Sequence, residues 1–332
     1  MQNHTLLTGI KPTGTPHIGN FLGAIEPAIQ RAHNYEQSFV FIADYHALNT
    51  VQDGARLREL SRSIAATWIA CGLDTTRTTL YRQSSVPAVF ELETVLNAVT
   101  PKGWMNKAHA YKAAVDVNTA ESRDRDDGVS MGLYTYPILM AADILLYNAN
   151  LIPVGKDQVQ HVEIARDIAQ RFNHTYSQEV FTLPEASVVT ELESVIGLDG
   201  RKMSKSYGNV LPLFATADEW RKLVNKIPTD SLPVEAPKEV NDSAVFALYE
   251  VIATPEQSAD VRSRLAAGGM GWGEVKGLLV EALEARFGGY RQRYEELMAQ
   301  PEEIDRILAE GATKAQAVAS QKLQQVRRAI GA

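Results

Sequence analysis

Cysteine is almost absent from this sequence: Cys71 is the only one among 332 residues. A lone cysteine excludes an intramolecular disulfide and a cysteine-based zinc cluster, and it suits a reducing compartment. Cys71 ends the apolar run Ala-Ala-Thr-Trp-Ile-Ala-Cys, which predicts a buried core thiol rather than a nucleophile. We therefore expect a cytoplasmic protein.

Long apolar runs and an excess of positive charge are also missing. No run approaches the roughly 18 residues of a membrane span, and residues 1–5 carry no basic region of the kind that begins a signal peptide. The formal net charge is −7, so a nucleic-acid partner would have to bind a local basic patch. Residues 312–332 offer one, although a solvated helix end with favourable dipole charges is an equal alternative. Its basic residues, with no acidic neighbour, are Lys314, Lys322, Arg327 and Arg328.

What is present is the composition of a globular protein, with 45% hydrophobic and 22% charged residues. Strand patterns at 5–10, 38–48 and 78–81 alternate with helix patterns from about 19 and at 53–71. This alternation predicts an α/β protein with a Rossmann-like parallel sheet. Ligands of such sheets bind beyond the carboxyl ends of the strands, where the turn after Ile10 would lie.

Helices are predicted to dominate the rest of the chain. The patterns indicate helices at roughly 89–115, 131–147, 157–173 and over most of 217–332, with a short strand at Leu151–Val154. Gly208, Asn209 and Pro212 mark a boundary. We expect a mixed domain over 1–208, with a helical insertion at about 101–150, and an all-helical domain over 209–332.

Two short motifs can hold phosphate. The first is the turn Pro12–Asn20, where helix N-terminal N–H groups favour anions, and where Gly19 lets a nucleotide approach the backbone. The second is Lys-Met-Ser-Lys-Ser at 202–206, called here the lysine loop, whose two lysines can offset charge on a polyphosphate. Taken singly, each has an ordinary alternative, a plain turn or a basic surface loop.

The pair in this order resembles the two signature motifs of class I aminoacyl-tRNA synthetases. The lysine loop matches the family consensus at every position. The first motif, His17-Ile-Gly-Asn20, has asparagine where the family usually ends in histidine, a variant found in the tryptophan and tyrosine branch.

A third feature concerns the amino acid. The apolar stretch Thr135–Tyr147 contains one acid, Asp143. An acid there is either a structural residue with a paired partner or a carboxylate that accepts one N–H or O–H from a ligand. Ligands lacking that donor would leave a buried charge unpaired and would be rejected. An indole N–H and a phenol O–H both satisfy this requirement.

Two segments separate these choices by resemblance. Met140–Tyr147 and Ile152–His161 are similar to the central segment of bacterial tryptophanyl-tRNA synthetases, and the similarity covers most of the chain, being weakest over 101–130. Asp44-Tyr-His-Ala is similar too, although Tyr45 replaces a usual glutamine. The resemblance implies ATP-dependent activation of L-tryptophan to an adenylate, transfer to tRNA(Trp) with release of AMP and pyrophosphate, a homodimer, and a helical domain that reads the anticodon.

The resemblance also implies roles for individual residues. Catalysis would use His17, Asn20, Lys202 and Lys205. Tryptophan would be bound by Asp143, Met140, Gly9, His46, Val154 and Gln158. ATP would be bound by Lys11, Pro12, Thr13, Gly19, Asn20, Gly155, Lys156, Asp157, Val195, Lys202, Met203, Ser204, Lys205 and Ser206. Lys11 departs from a usual glutamine, and the assignment of a further phosphate-binding lysine to Lys112 rests on a poorly fitting pattern.

Two other functions stay open at this point. A tyrosine-specific ligase shares both signature motifs, and a duplicated synthetase-like protein could bind tryptophan or a protein in a regulatory role. An intact lysine loop counts against the second. The ligase needs no protein metal site, since Mg²⁺ would arrive with ATP.

Overall fold

The structure is a computed structural model that describes residues 5–155, 158–188 and 195–332. Two of the predicted ATP-binding residues, Lys156 and Asp157, lie outside these ranges. Five parallel strands form one sheet in the order β3-β2-β1-β4-β5. Their bounds are Thr5–Ile10 (β1), Gln37–Ile42 (β2), Thr78–Arg82 (β3), Leu151–Val154 (β4) and Glu185–Val188 (β5). The predicted α/β class with a Rossmann-like sheet is therefore confirmed.

The central strands explain why one edge of the sheet collects functional groups. In β2 the five residues after Gln37 are all buried, as expected for a parallel sheet covered on both faces. The register pairs Ile10 with Ile42 and Ile42 with Arg82, so three strands end side by side. Residues that follow these strands therefore emerge together at the carboxyl edge.

The helices lie largely where the periodicity placed them, with two differences. The pattern over 38–48 predicted one long strand, but the strand ends at Ile42 and a short helix begins at Asp44. The expected helix over 89–115 is broken near Pro101, which lacks the N–H that a continuous helix needs. The helices are α1 Ile18–Asn20, α2 Glu26–Ala32, α3 Asp44–Ala47, α4 Gly54–Ala70, α5 Ala88–Val99, α6 Lys102–Met105, α7 His109–Ala120, α8 Met131–Leu146, α9 Val159–Tyr176, α10 Ala217–Val224, α11 Ala244–Ile252, α12 Pro255–Ala267, α13 Trp272–Met298 and α14 Pro301–Ile330.

Shorter helical turns complete the description. A π-helical turn, Phe21–Ile25, joins α1 to α2, and 3₁₀ turns occupy Gln83–Ser85 and Lys205–Tyr207. None of the helices in the described ranges is long and apolar enough to cross a membrane.

The chain divides into two compact units. Unit 1 consists of Met1–Gly14, Ala28–Thr190 and Gln300–Ala332, and unit 2 of Thr15–Pro27 and Glu191–Ala299. Unit 1 contains α14 together with the sheet, and the domain bounds of 1–208 and 209–332 stay a prediction. The turn that contains His17 correspondingly belongs with the unit of the lysine loop.

Close packing and ion pairs hold α14 in unit 1. Gly311 of α14 lies against the backbone of β3, so near that an added Cβ would be 1.8 Å from the carbonyl oxygen of Leu80. Asp305 accepts from Arg82 at 2.6 Å and from Arg62 at 2.5 Å. Such contacts between residues far apart in sequence leave no local sign in the chain.

The basic patch expected over 312–332 is wrong in two of its four residues. Lys322 is buried, and its ammonium group donates to the carbonyl oxygen of Val180 at 2.7 Å. Arg327 forms a two-fold contact with Glu91, with both N···O distances at 2.6 Å. The local absence of acidic residues was misleading, because the partners come from elsewhere in unit 1.

Candidate active site

Asp143, the one acid of the apolar stretch Thr135–Tyr147, lies in unit 1. It lies on α8 with 1% of its surface exposed, among apolar neighbours on the same helix. Its Oδ2 lies 3.1 Å from Nε2 of His46, which α3 carries at the carboxyl end of β2. Because a carboxylate only accepts, this contact places the His46 proton on Nε2.

A second partner of Asp143 is Gln83, which comes directly after β3 and is fully buried. Its Nε2 donates to Oδ1 of Asp143 at 3.0 Å and to Oδ2 at 2.8 Å. Its Oε1 accepts the backbone N–H of Tyr45 at 3.2 Å. The carboxylate is thus held by donors from the ends of β2 and β3.

Burial raises the pKa of Asp143 above its ordinary value, and the hydrogen bonds from His46 and Gln83 act in the opposite direction. Asp44 adds a smaller contribution that also raises this pKa. The two donors favour the ionised carboxylate, which is the form that accepts a hydrogen bond from a ligand most strongly.

The other predicted tryptophan-binding residues lie on α8, on two strands of the sheet and just before α9. Met140 is partly buried on α8 one turn before Asp143. Gly9 lies on β1 against the ring of Phe41, where a Cβ would come within 2.4 Å of that ring. Val154 ends β4, and Gln158 stands just before α9, where its N–H bonds to the carbonyl oxygen of Gly155.

A tyrosine and a histidine that the sequence did not single out also face each other in unit 1. The hydroxyl of Tyr136 lies 2.6 Å from Nε2 of His161, and the ring of Tyr136 contacts that of His46. Burial raises the pKa of Tyr136 to about 12, so its hydroxyl keeps its proton and can donate. Tyr136 and His161 thus place a hydroxyl and an imidazole next to the apolar residues of α8.

The first signature motif forms a tight cap at the start of α1 in unit 2. The N–H of Asn20 donates to Nδ1 of His17 at 3.3 Å, and the N–H of His17 donates to Oδ1 of Asn20 at 3.1 Å. This reciprocal capping box fixes both side chains. The motif also bonds to the segment that follows the lysine loop, where the N–H of Ile18 donates to the carbonyl oxygen of Leu211.

The lysine loop contacts this cap through its methionine. Met203 is buried, and its sulfur lies 3.3 Å from the N–H of Gly19. A Cβ at Gly19 would fall 3.0 Å from Nδ1 of His17 and 3.3 Å from the same sulfur, so only glycine fits without displacement. Val195, expected near the adenine, holds the loop from the other side by accepting the N–H of Met203 at 2.8 Å.

Asn209 organises the backbone of the lysine loop, and it was not predicted. Its Oδ1 accepts the N–H of Ser204 at 2.8 Å, and its Nδ2 donates to the carbonyl oxygen of Lys202 at 3.1 Å. Nδ2 also donates to Asp199 at 2.7 Å. This hydrogen bond, together with the contact from Arg201, lowers the pKa of Asp199 to about 2. The loop is therefore ordered while both of its lysine side chains remain exposed.

The electrostatics of the two motifs are coupled within unit 2. Burial, with a smaller contribution from the positive charge of Lys205, lowers the pKa of His17 to about 4. Partial desolvation of its ammonium group lowers the pKa of Lys205, although the residue as a whole is exposed. Near neutral pH the site thus combines an uncharged imidazole with two lysines, an arrangement suited to a polyanionic ligand.

The predicted site residues fall in both units, and each unit brings some of them together. Unit 1 brings together His46 and Asp143 and contains Lys11, Pro12 and Thr13, where the N–H of Thr13 bonds to the carbonyl oxygen of Lys11. Unit 2 brings together His17, Asn20 and the lysine loop. Lys112 is exposed on α7, and its role as a phosphate ligand stays a prediction.

Gln83 is the most informative residue that sequence reasoning missed. The signal available was its position: it is a polar residue that directly follows a buried strand of a parallel sheet, where ligands of such folds bind. Asp44 shares this position after β2, and Asp44 and Gln83 meet through the N–H of Tyr45.

Comparison with known proteins gives consistent results. The family model described as "tRNA synthetases class I (W and Y)" matches residues 1–288. The tryptophan–tRNA ligase of Neisseria meningitidis is 48% identical over 100% of this chain and 98% of that protein. The corresponding ligase of Bordetella parapertussis is 51% identical over 99% of this chain and 73% of its own length. A crystal structure of tryptophanyl-tRNA synthetase from Campylobacter jejuni, complexed with ADP and tryptophan, is 40% identical with a TM-score of 0.91, covering 99% of this chain and 100% of that one.

Proposed function

The chain belongs to the class I tRNA synthetases of the tryptophan and tyrosine branch, and on that basis we propose that it is a tryptophan–tRNA ligase. It activates L-tryptophan with ATP and transfers the aminoacyl group to tRNA(Trp). The observation that carries the choice of tryptophan over tyrosine is the full-length similarity to tryptophan–tRNA ligases, 48% identical in the case of Neisseria meningitidis. The buried carboxylate of Asp143, held by His46 and Gln83, supplies the acceptor for the indole N–H.

The carboxylate selects for a donor on a flat aromatic ligand. Asp143 has about four lone-pair directions, and His46 and Gln83 occupy three of them. The remaining direction at Oδ1 accepts the indole N–H. A ligand of similar shape without that hydrogen leaves the buried acceptor unpaired. Sites of this kind can reject such a ligand by several orders of magnitude.

The chemistry has two steps, both of group transfer. In the first, a carboxylate oxygen of tryptophan attacks the α-phosphorus of ATP and pyrophosphate leaves, so that a mixed anhydride is formed. In the second, a terminal ribose hydroxyl of the tRNA attacks the carbonyl carbon and AMP leaves. Positioning and charge compensation are enough for such reactions, and no covalent intermediate with the protein is required.

The residues of unit 2 supply charge and hydrogen-bond donors for ATP. Lys202 and Lys205 stabilise the negative charge that develops on the departing pyrophosphate. His17, neutral at physiological pH, donates a hydrogen bond without competing with the lysines for charge. Among the described residues there is no cluster of three metal-ligating side chains, and Mg²⁺ enters as part of the ATP substrate.

Further parts of the proposal concern partners. The helical residues 209–332 bind the tRNA anticodon, the active form is a homodimer, and the protein works in the cytoplasm. These assignments rest on the family, and the compartment also on the use of a single cysteine in 332 residues.

The test is amino-acid-dependent exchange of pyrophosphate into ATP, measured with each of the twenty amino acids and Mg²⁺. Exchange with tryptophan alone supports the proposal, and charging of a tRNA(Trp) transcript then tests the second step. Exchange with tyrosine alone would assign the chain to the other substrate of the branch. Absence of exchange in folded protein would refute the enzymatic function and favour a regulatory relative.

A further inference from the structure

We propose that Gln83 is a positioning residue for Asp143, and that it determines how strongly the site selects for an indole N–H. The inference rests on the proposed function, because it concerns the residue that would bind the indole. Gln83 itself does not need to touch the ligand: it acts by fixing which lone pair of the carboxylate stays available.

The hydrogen bonds of Gln83 define one orientation of its amide. Nε2 lies within 3.0 Å of both oxygens of Asp143, while Oε1 accepts the N–H of Tyr45. The flipped amide would direct an oxygen at a carboxylate and an NH₂ group at an N–H, which is unfavourable at both ends. The amide nitrogen, which bridges both oxygens, therefore favours one rotation of the carboxylate about its Cβ–Cγ bond.

The backbone around Gln83 is fixed as well. Asp44 accepts from the N–H of Ser84 at 3.0 Å, from the hydroxyl of Ser84 at 2.5 Å, and from the N–H of Tyr45 at 3.1 Å. The Gln83 side chain is fully buried, so no water competes for its amide. Asp44 thus joins the segment after β3 to the start of α3, while the group of this segment that hydrogen-bonds to Asp143 is the Gln83 amide.

His46 cannot replace this function. It makes one hydrogen bond to Asp143, to Oδ2 only, and 10% of its side chain is exposed. Without Gln83 the carboxylate can rotate about that contact and offer either oxygen, and its second oxygen becomes a buried acceptor without a partner. A rotating acceptor distinguishes less well between a ligand that has an N–H and one that has not.

The experiment compares tryptophan with 3-benzothienylalanine, in which sulfur replaces the indole N–H at similar size. We would measure pyrophosphate exchange with both amino acids for the wild type, Gln83→Met and the control Ser84→Ala. Ser84→Ala removes a contact to Asp44 in the same segment but none to Asp143. Gln83→Met removes both amide hydrogens while keeping the length of the side chain.

We expect Gln83→Met to lower kcat/KM for tryptophan about tenfold or more, mainly through the KM for tryptophan, with the KM for ATP unchanged. The preference for tryptophan over the sulfur analogue should shrink by a similar factor, while Ser84→Ala keeps the wild-type preference. An unchanged preference in Gln83→Met would overturn the proposal, as would an equal loss in both variants, which indicates a merely structural role.

A second variant keeps the proposal testable if Gln83→Met does not fold. Gln83→Glu preserves size and the acceptor for Tyr45, but it sets a second carboxyl against Asp143. Such a pair shares a proton, so the KM for tryptophan should rise with pH in a range where the wild type is constant. A profile identical to the wild type would refute the role of Gln83. Absence of tryptophan-dependent exchange in the wild type would instead refute the proposed function.

Discussion

The contact between α14 and β3 predicts an unusual response to a small substitution. Gly311→Ala adds one methyl group that would lie 1.8 Å from the carbonyl oxygen of Leu80. Ordinary contacts need about 3.5 Å, so helix and strand must separate by more than about 1.5 Å, or the backbone must deform. Neither adjustment is easy, because the atom in the way belongs to the strand backbone.

The magnitude follows from a matched control. Gly277 lies within α13 with nothing within 4 Å of an added Cβ. Alanine at either position gains up to about 1 kcal/mol of helix propensity over glycine. Overpacking at Gly311 costs about 1–3 kcal/mol or more, so the two variants should differ by at least that amount. Gly277→Ala should be stabilised and Gly311→Ala destabilised.

Hydrogen exchange of the β3 amides measures the local stability of unit 1, where Gly311 lies. About 3 kcal/mol of overpacking less about 1 kcal/mol of helix propensity leaves a net loss of about 2 kcal/mol in Gly311→Ala. This loss accelerates exchange of the β3 amides roughly 30-fold, while Gly277→Ala leaves them unchanged. Exchange of unit 2 peptides serves as the internal reference for Gly311→Ala, whereas Gly277 itself lies in unit 2. Equal β3 protection in the two variants would refute the close approach of α14 to this strand.

Four further predictions concern the site. Asp143→Ala should lower kcat/KM for tryptophan by about 100-fold or more with an unchanged circular dichroism spectrum, and unaltered exchange kinetics would remove Asp143 from the site. Lys205→Ala should lower the kcat of adenylate formation by about 10²- to 10³-fold with little effect on tryptophan binding, and the reverse pattern would contradict a role in the transition state. Asn209→Ala should raise the KM for ATP about 5- to 30-fold but not that for tryptophan, because the lysine loop loses two backbone contacts. Because the pKa of His17 is depressed to about 4, its contribution to the free energy of unfolding is complete above about pH 6.5 and is lost as pH decreases towards 4. The melting temperature should therefore decrease less over this pH range in His17→Asn than in the wild type. Equal slopes of melting temperature against pH would contradict the buried neutral imidazole.

Local patterns in the sequence predicted most of the sheet and helices. β1, β3 and β4 lie where apolar runs between turn residues placed them, and α4 begins after Asp53 because that side chain caps its first N–H groups. β5 was not predicted, since four residues that include a glutamate and a serine carry little strand signal. Such a strand is defined mainly by its pairing with β4.

The candidate site was predictable where a motif carries its own chemistry. His17, Asp143 and the lysine loop could be chosen because their residue types and spacing are unusual. Gln83 and Asn209 could not, because a single buried amide has meaning only through the partners that the fold brings to it. The same reason explains Lys322: its local sequence indicates an exposed basic helix end, and its buried partner, Val180, is 142 residues away.

The discontinuity of unit 1 has a consequence for its synthesis. Arg82 and Asp305, which join β3 to α14, are 223 residues apart, and translation of that interval takes roughly 10 to 45 seconds at 5–20 residues per second. During this time β3 is the outermost strand of a nascent sheet, and its backbone lacks the helix that later lies against it. Unshielded outer strands are the places where chains associate wrongly, so the growing polypeptide is vulnerable at β3 until residues 300–332 leave the ribosome. The strand that directly precedes Gln83 is therefore among the last parts of the unit to reach its final environment.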